Sequence, residues 1–226
     1  MGSCTRIVRI AAPVVLAAAL AACGGAATGD AAAKVNGSIH VTAGAPVDSA
    51  VTINGSITVD DGAAVTTART VNGGISIGAH ATAQSLTTVN GAVTLGAGAQ
   101  VANDVTVVNG PITLADGASV AGRVMNVNGA IRLESARVSG GITTVDGDIT
   151  VTGASRVEDG ITVKRPSGSF FHVSDAIPRI VIGPGAVVDG PLDFRHKVAL
   201  YVSPQAKIGP VRGATPIPFT GPTPPG

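Results

Sequence analysis

Val51-Thr52-Ile53-Asn54-Gly55-Ser56-Ile57-Thr58-Val59-Asp60-Asp61-Gly62-Ala63-Ala64-Val65 is the stretch on which the fold turns. Its apolar members Val51, Ile53, Ile57, Val59, Ala63 and Val65 are separated by gaps of 2, 4, 2, 4 and 2. A gap of two puts both residues of a pair on one side of an extended strand, and a gap of four spans a bend. Three pairs therefore describe one coil of three short strands around a roughly triangular core, with Thr52, Thr58 and Ala64 expected to point outward. The same dipeptide recurs along the chain as Asn36-Gly37, Asn54-Gly55, Asn72-Gly73, Asn90-Gly91, Asn109-Gly110 and Asn128-Gly129, then as Asp146-Gly147, in steps of 18, 18, 18, 19, 19 and 18. Repetition at a nearly fixed period is the signature of a solenoid, in which each unit buries its apolar face against its neighbours.

The Asn-Gly pairs are expected at a corner, where both residue types tolerate a positive φ and where stacked Asn amides bond along the axis. Asn-Gly also marks two-residue hairpins, but a meander of hairpins places turns about every 8 to 12 residues. The spacing here is roughly double that. After Asp146-Gly147 the pattern weakens without ending: Ile180 to Gly190 repeats the apolar and glycine positions of Ile112 to Gly122, and Leu200 to Gly209 repeats part of them. The reading is an all-β, single-stranded parallel β-helix of about nine coils over residues 35–213. Residues 164–179, with Phe170, Phe171 and His172, are expected to form an excursion. Residues 214–226, with five prolines, are expected to be an extended tail.

Composition agrees. The 226 residues include 31 Gly, four Phe, one Tyr and no Trp, so the core must be built from aliphatic side chains. With 45% apolar and 13% charged residues the chain is too hydrophobic for disorder and too sparsely charged for a coiled coil. A formal charge of +1 gives no bulk attraction to nucleic acid.

The first 22 residues read as a separate signal. Arg6 and Arg9 precede an apolar run from Ile10 to Ala19, too short to span a bilayer. Leu20-Ala21-Ala22-Cys23 resembles a bacterial lipobox, which implies cleavage before Cys23 and a diacylglycerol on its thiol. Removal of residues 1–22, which hold two of the 15 basic residues, leaves 13 against 14 acidic ones, a formal charge of −1. Cys23 is then the sole cysteine, so neither an internal disulfide nor a cysteine zinc cluster is expected. Residues 23–34 are expected to be the lipidated cysteine and a flexible tether. Gly24, where lipoproteins retained at the inner membrane carry Asp, implies the outer membrane, on its periplasmic or its outer face.

The stretch Gly183-Pro184-Gly185-Ala186-Val187-Val188-Asp189-Gly190, together with the Val-Asn-Gly copies, resembles the β-helical rods of bactofilins and the adhesin-like repeats of bacterial envelope proteins. The resemblance covers residues 35–210. Bactofilins are cytoplasmic, polymer-forming scaffolds. The resemblance implies a structural rod without catalytic residues, and the lipobox draws the chain closer to an envelope lipoprotein.

Few residues suggest chemistry. His40, His80, His172 and His196 share no metal-binding spacing, and no nucleophile elbow, phosphate loop or dinucleotide fingerprint occurs. Asp60, Asp61, Asp116 and Glu134 fall near one corner of the repeat, as a polysaccharide-acting enzyme on a β-helix requires, but the intervening coils supply Gly78-Ala79 and Gly96-Ala97 instead. Arg123, Arg132, Arg137, Arg156, Lys164 and Arg165 cluster in sequence yet are expected on several faces, and no aromatic residue lies between 24 and 169 to stack bases or sugars. The expectation is a lipid-anchored envelope protein with a structural or interaction role, neither catalytic nor cofactor-dependent. A polysaccharide-acting enzyme and a glycan- or surface-binding adhesin are the alternatives. Its partners are expected to be the membrane through Cys23, an envelope glycan or protein, and a second copy through the N-terminal coil of Val35, Ile39 and Val41. Phe194, Tyr201 and the excursion are expected to cap the other end. No nucleic acid is expected.

Overall fold

The computed structural model describes residues 30–165, 177–221, 223 and 224. Short strands alternate with tight bends, and the inter-strand pairing is parallel throughout. The result is a β-solenoid of about ten turns with three faces.

Face 1 is a ten-stranded sheet that begins with Ile39–Val41, Ile57–Val59 and Ile75–Ile77 and ends with Ala199–Val202 and Ile217–Pro218. Its three-residue strands each place two aliphatic side chains inward and one residue outward. Ile57 therefore stacks on Ile75 and Val59 on Ile77, all of them buried. Each such side chain contributes about 1.5 to 3 kcal/mol on burial, which explains how a core without Trp holds together. The ten rungs exceed the nine expected because the proline-rich tail supplies one: Tyr201 pairs with Ile217 and Val202 with Pro218, and Phe219 is only 4% exposed.

Faces 2 and 3 begin as one sheet and then separate. Val47–Asn54, Ala64–Asn72 and Thr82–Asn90 are long strands that run across both faces. The next coil splits into Gln100–Val101 and Val105–Asn109. Ala83 pairs with Val101 and Leu86 with Val105, so three residues now fill the bend that two filled below. This is where the 19-residue step places its extra residue. It turns a bend into a corner, at which the Asp104 carboxylate accepts the Arg123 backbone N–H at 2.8 Å.

The inward pair on face 3 differs from expectation. Ala50 and Thr52 point inward, with Thr52 at 1% exposure, while Val51 is 36% exposed and Ile53 half-buried. The cause is the Asn-Gly corner. Thr52 Oγ1 donates to the Gly37 carbonyl at 3.1 Å, and Thr70 and Thr88 donate to the Gly55 and Gly73 carbonyls at 2.9 Å. A buried carbonyl without a donor costs about 1 to 3 kcal/mol, which exceeds what hiding the outer edge of Val51 returns. Two coils on, Asn126 takes over the task, its Nδ2 donating to the Gly110 and Gly129 carbonyls at 3.0 and 2.8 Å.

The expected positive φ at the Asn-Gly corner is found at Gly37, Gly110 and Gly129 but at none of Gly55, Gly73, Gly91 or Gly147, and no Asn adopts it. What requires glycine there is proximity. A Cβ on Gly55, Gly73, Gly91, Gly110, Gly129 or Gly147 would stand well inside van der Waals contact of the carbonyl oxygen of the corner glycine one coil below. The left-handed corner lies instead between faces 1 and 2, where Gly62, Gly98, Gly117, Gly153 and Gly185 have φ of 64° to 78°.

One further boundary shifts. A strand runs from Asp30 to Asn36 and pairs with Val47–Asn54, so the first rung starts within the stretch expected to be a tether. Within the excursion, residues 166–176, including Phe170, Phe171 and His172, lie outside the described residues. Tyr201 does not cap the end: it shares the outward row of face 1 with Val181, and the Arg179 guanidinium stacks over its ring at 4.8 Å. Phe194 points inward with Leu192 of the same strand, in the row of Val163.

Candidate functional site

Cys23, the lipidation candidate, lies outside the described residues, and the solenoid begins seven positions after it. The corner residues are brought together as a continuous column. Asn54 Nδ2 donates to Asn36 Oδ1 at 2.9 Å, Asn72 to Asn54 at 2.9 Å, and Asn90 to Asn72 and Asn109 to Asn90 at 3.0 Å. Within the column each exposed amide gives one N–H to the coil below and accepts another from the coil above, so the ladder ties five coils on the solvent side of the corner. Asn128 pairs with Asp146 through a parallel backbone bridge, extending the column.

The four acidic residues do not share one cleft: Asp60 and Asp61 line an open depression of about 540 Å³ with Thr58, Ser76 and Gly78, and Asp116 and Glu134 lie outside it. Asp60 accepts from His40 Nε2 at 2.9 Å, and Asp61 accepts the Ala79 backbone N–H at 2.7 Å. Both carboxylates are thus engaged within their corner, while Gly78 and Gly96 occupy the rungs above. His196 Nε2 lies 2.9 Å from the Val145 carbonyl. Among the described residues no three of His, Cys, Asp and Glu gather as metal ligands would. A shallow groove of about 500 Å³ runs along face 2 past Val47, Thr66, Gln84, Gln100 and Ser119. Its lining carries no titratable group, so it offers no acid or base.

The distal arginines lie on several faces, most of them in ion pairs between rungs. Arg123 holds Asp104, Arg137 holds Glu158, and Arg156 holds Asp189 at 2.8 Å. Hydrogen bonds from Arg137 and Ser139 keep the Glu158 carboxyl below its ordinary range. These pairs are exposed, and each adds little to stability.

Two features were missed by sequence reasoning. One is the inward threonine ladder, since parity alone allows either set of alternate residues inside. The other is the strained corner between faces 1 and 2, where His80 and Ser135 have φ of 55° and 48° and the other left-handed residues are glycines. The recurring glycine after Asp61, Ala97 and Asp116 was the available signal.

No protein family, curated protein or solved structure matches the chain.

Proposed function

We propose that the chain is a lipid-anchored rod of the bacterial cell envelope, held at the outer membrane through Cys23, with a structural or interaction role. The observation that carries this reading is the short interval between the lipobox and the solenoid. Only Gly24 to Gly29 separate Cys23 from the first strand. At most about 3.5 Å per residue, this interval spans roughly 25 Å, so the first coil stays close to the bilayer. Ten rungs at about 4.8 Å each then project the other end some 45 Å further. Two or more acyl chains on Cys23 give stable anchoring.

The N-terminal rung also favours self-association. Among the described residues, the strands Asp30–Asn36 and Ile39–Val41 have partners on one side only, Val47–Asn54 and Ile57–Val59. Their other edges offer N–H and C=O groups that no described strand pairs. At the far end Pro218 and the buried Phe219 blunt the edge.

Mass spectrometry of the membrane fraction tests the anchor. A lipid-modified peptide beginning at Cys23 is expected, with release of a Cys23→Ser protein from membranes. An unmodified mature protein starting elsewhere contradicts the reading.

A further inference from the structure

Exposed cations collect at the distal end of one face. From Asp30 onward only Lys34 and Arg69 precede Arg123, so the first half of the rod is almost without positive charge. Beyond it, Arg123, Arg137, Arg156 and Arg195 each hold a carboxylate. Lys164, Arg165, Lys197 and Arg212 are exposed, and their side chains hold none among the described residues.

Register brings these four together. Thr162 pairs with Asp193, and Asp193 with Arg212, on successive rungs of face 3. The Arg195 N–H donates to the Val163 carbonyl, which sets Lys164 one rung below Arg195. Arg165 follows Lys164, and Lys197 occupies the turn between Leu192–Phe194 on face 3 and Ala199–Val202 on face 1. With rungs about 4.8 Å apart, the cations form a ladder some 10 Å high. Asp193, already paired with Arg195, is the one carboxylate in those described face 3 strands. Rungs 2 to 7 of the same face present Val51, Arg69, Thr87, Thr106, Met125 and Thr143 in register, one cation among six residues, so the four distal cations are a concentrated patch rather than part of a uniformly charged surface.

We infer that the distal end of face 3 docks an anionic polysaccharide, a linear chain bearing phosphate or carboxylate groups. Cations spaced along the rod suit successive charges of a polymer, whereas a single small anion needs donors that converge. They line a side of the rod at the end away from Cys23, where an extended chain lies alongside them. The inference rests on the envelope reading for the kind of polymer, but its test does not depend on lipidation.

The full chain carrying Cys23→Ser is titrated at 150 mM salt with polygalacturonate, with long-chain inorganic polyphosphate and with neutral dextran. Anionic phospholipid vesicles and a single-stranded oligonucleotide form parallel arms. Binding to polygalacturonate or polyphosphate but not dextran is expected, weakened about tenfold by Lys164→Gln with Arg212→Gln. Arg132→Gln with Lys207→Gln removes the same charge from faces 1 and 2 and should leave binding within about twofold. An equal loss in both double variants, binding only to vesicles or only to the oligonucleotide, or no binding to either polyanion overturns the inference. Unchanged melting of each variant shows that the fold is intact.

Discussion

A side chain on Gly91 would meet the Gly73 carbonyl oxygen, whereas the side chain of Thr94 faces solvent from the middle of a face 1 strand. Gly91→Val should therefore lower stability by about 1 to 3 kcal/mol through overpacking against rigid backbone. Thr94→Val should be nearly neutral, since an outward strand position accepts a β-branched residue. Thermal unfolding of the two variants checks this, and equal midpoints would remove the close-contact account of the corner. His80 gives the opposite case, an exposed side chain at a φ of 55° in a corner where Gly62 and Gly98 serve the adjacent coils. Relief of the left-handed backbone makes His80→Gly stabilising by about 1 kcal/mol, measured by denaturant titration. At this scale the sequence was legible in part. That glycine is needed after each Asn could be read, but its reason could not, because the obstacle is a carbonyl 18 or 19 residues away. The inward choice of Thr52 over Val51 was hidden for the same reason: hydropathy favours Val51, and only the position of the Gly37 carbonyl reverses it.

Strand boundaries were legible wherever an apolar pair recurred at the repeat interval, as with Ile57–Val59, Ile75–Ile77 and Val93–Leu95. The change from 18 to 19 residues was visible too, but not that the added residue would divide a long strand at Ala102 to Asp104. Composition misled at the two ends. Asp30 to Ala33 looked like a tether because small residues carry little pattern, yet backbone pairing to the next coil needs no large side chain. The tail looked merely extended because of its prolines, yet Pro218 sits on the last rung, where no further strand requires its missing N–H. Deletion of residues 214–226 should uncover the apolar neighbours of Phe219 and leave the Ala199–Val202 edge unpaired. The expected result is a lower melting temperature and concentration-dependent association of the Cys23→Ser chain. Sedimentation checks this, and an unchanged monomer with unchanged melting would show that the tail caps nothing.

For the whole molecule, each coil touches chiefly the coils above and below it, so stability accumulates rung by rung and the rod's length follows the number of repeats. On the proposed reading Cys23 holds one end near a membrane, a shaft with more carboxylates than cations follows, and the unpaired cations collect toward the distal end. All of this depends on one relation, that residues one repeat apart are parallel neighbours. Cysteine pairs in a chain lacking Cys4 and Cys23 test it directly. Ser76 and Thr94 are register partners on face 1, about 4.8 Å apart, within the Cα separation of roughly 4.4 to 6.8 Å that a disulfide spans. Thr87 and Thr94 are equally distant in sequence from Asn90-Gly91 but lie on different faces. If Asn90-Gly91 were the turn of a hairpin, Thr87 and Thr94 would face each other, and Ser76 and Thr94 would be two strands apart. Under mild oxidation, Ser76→Cys with Thr94→Cys should close an intramolecular disulfide in the folded chain, and Thr87→Cys with Thr94→Cys should not. Closure of the Thr87 pair with an open Ser76 pair would contradict the parallel solenoid and everything placed upon it.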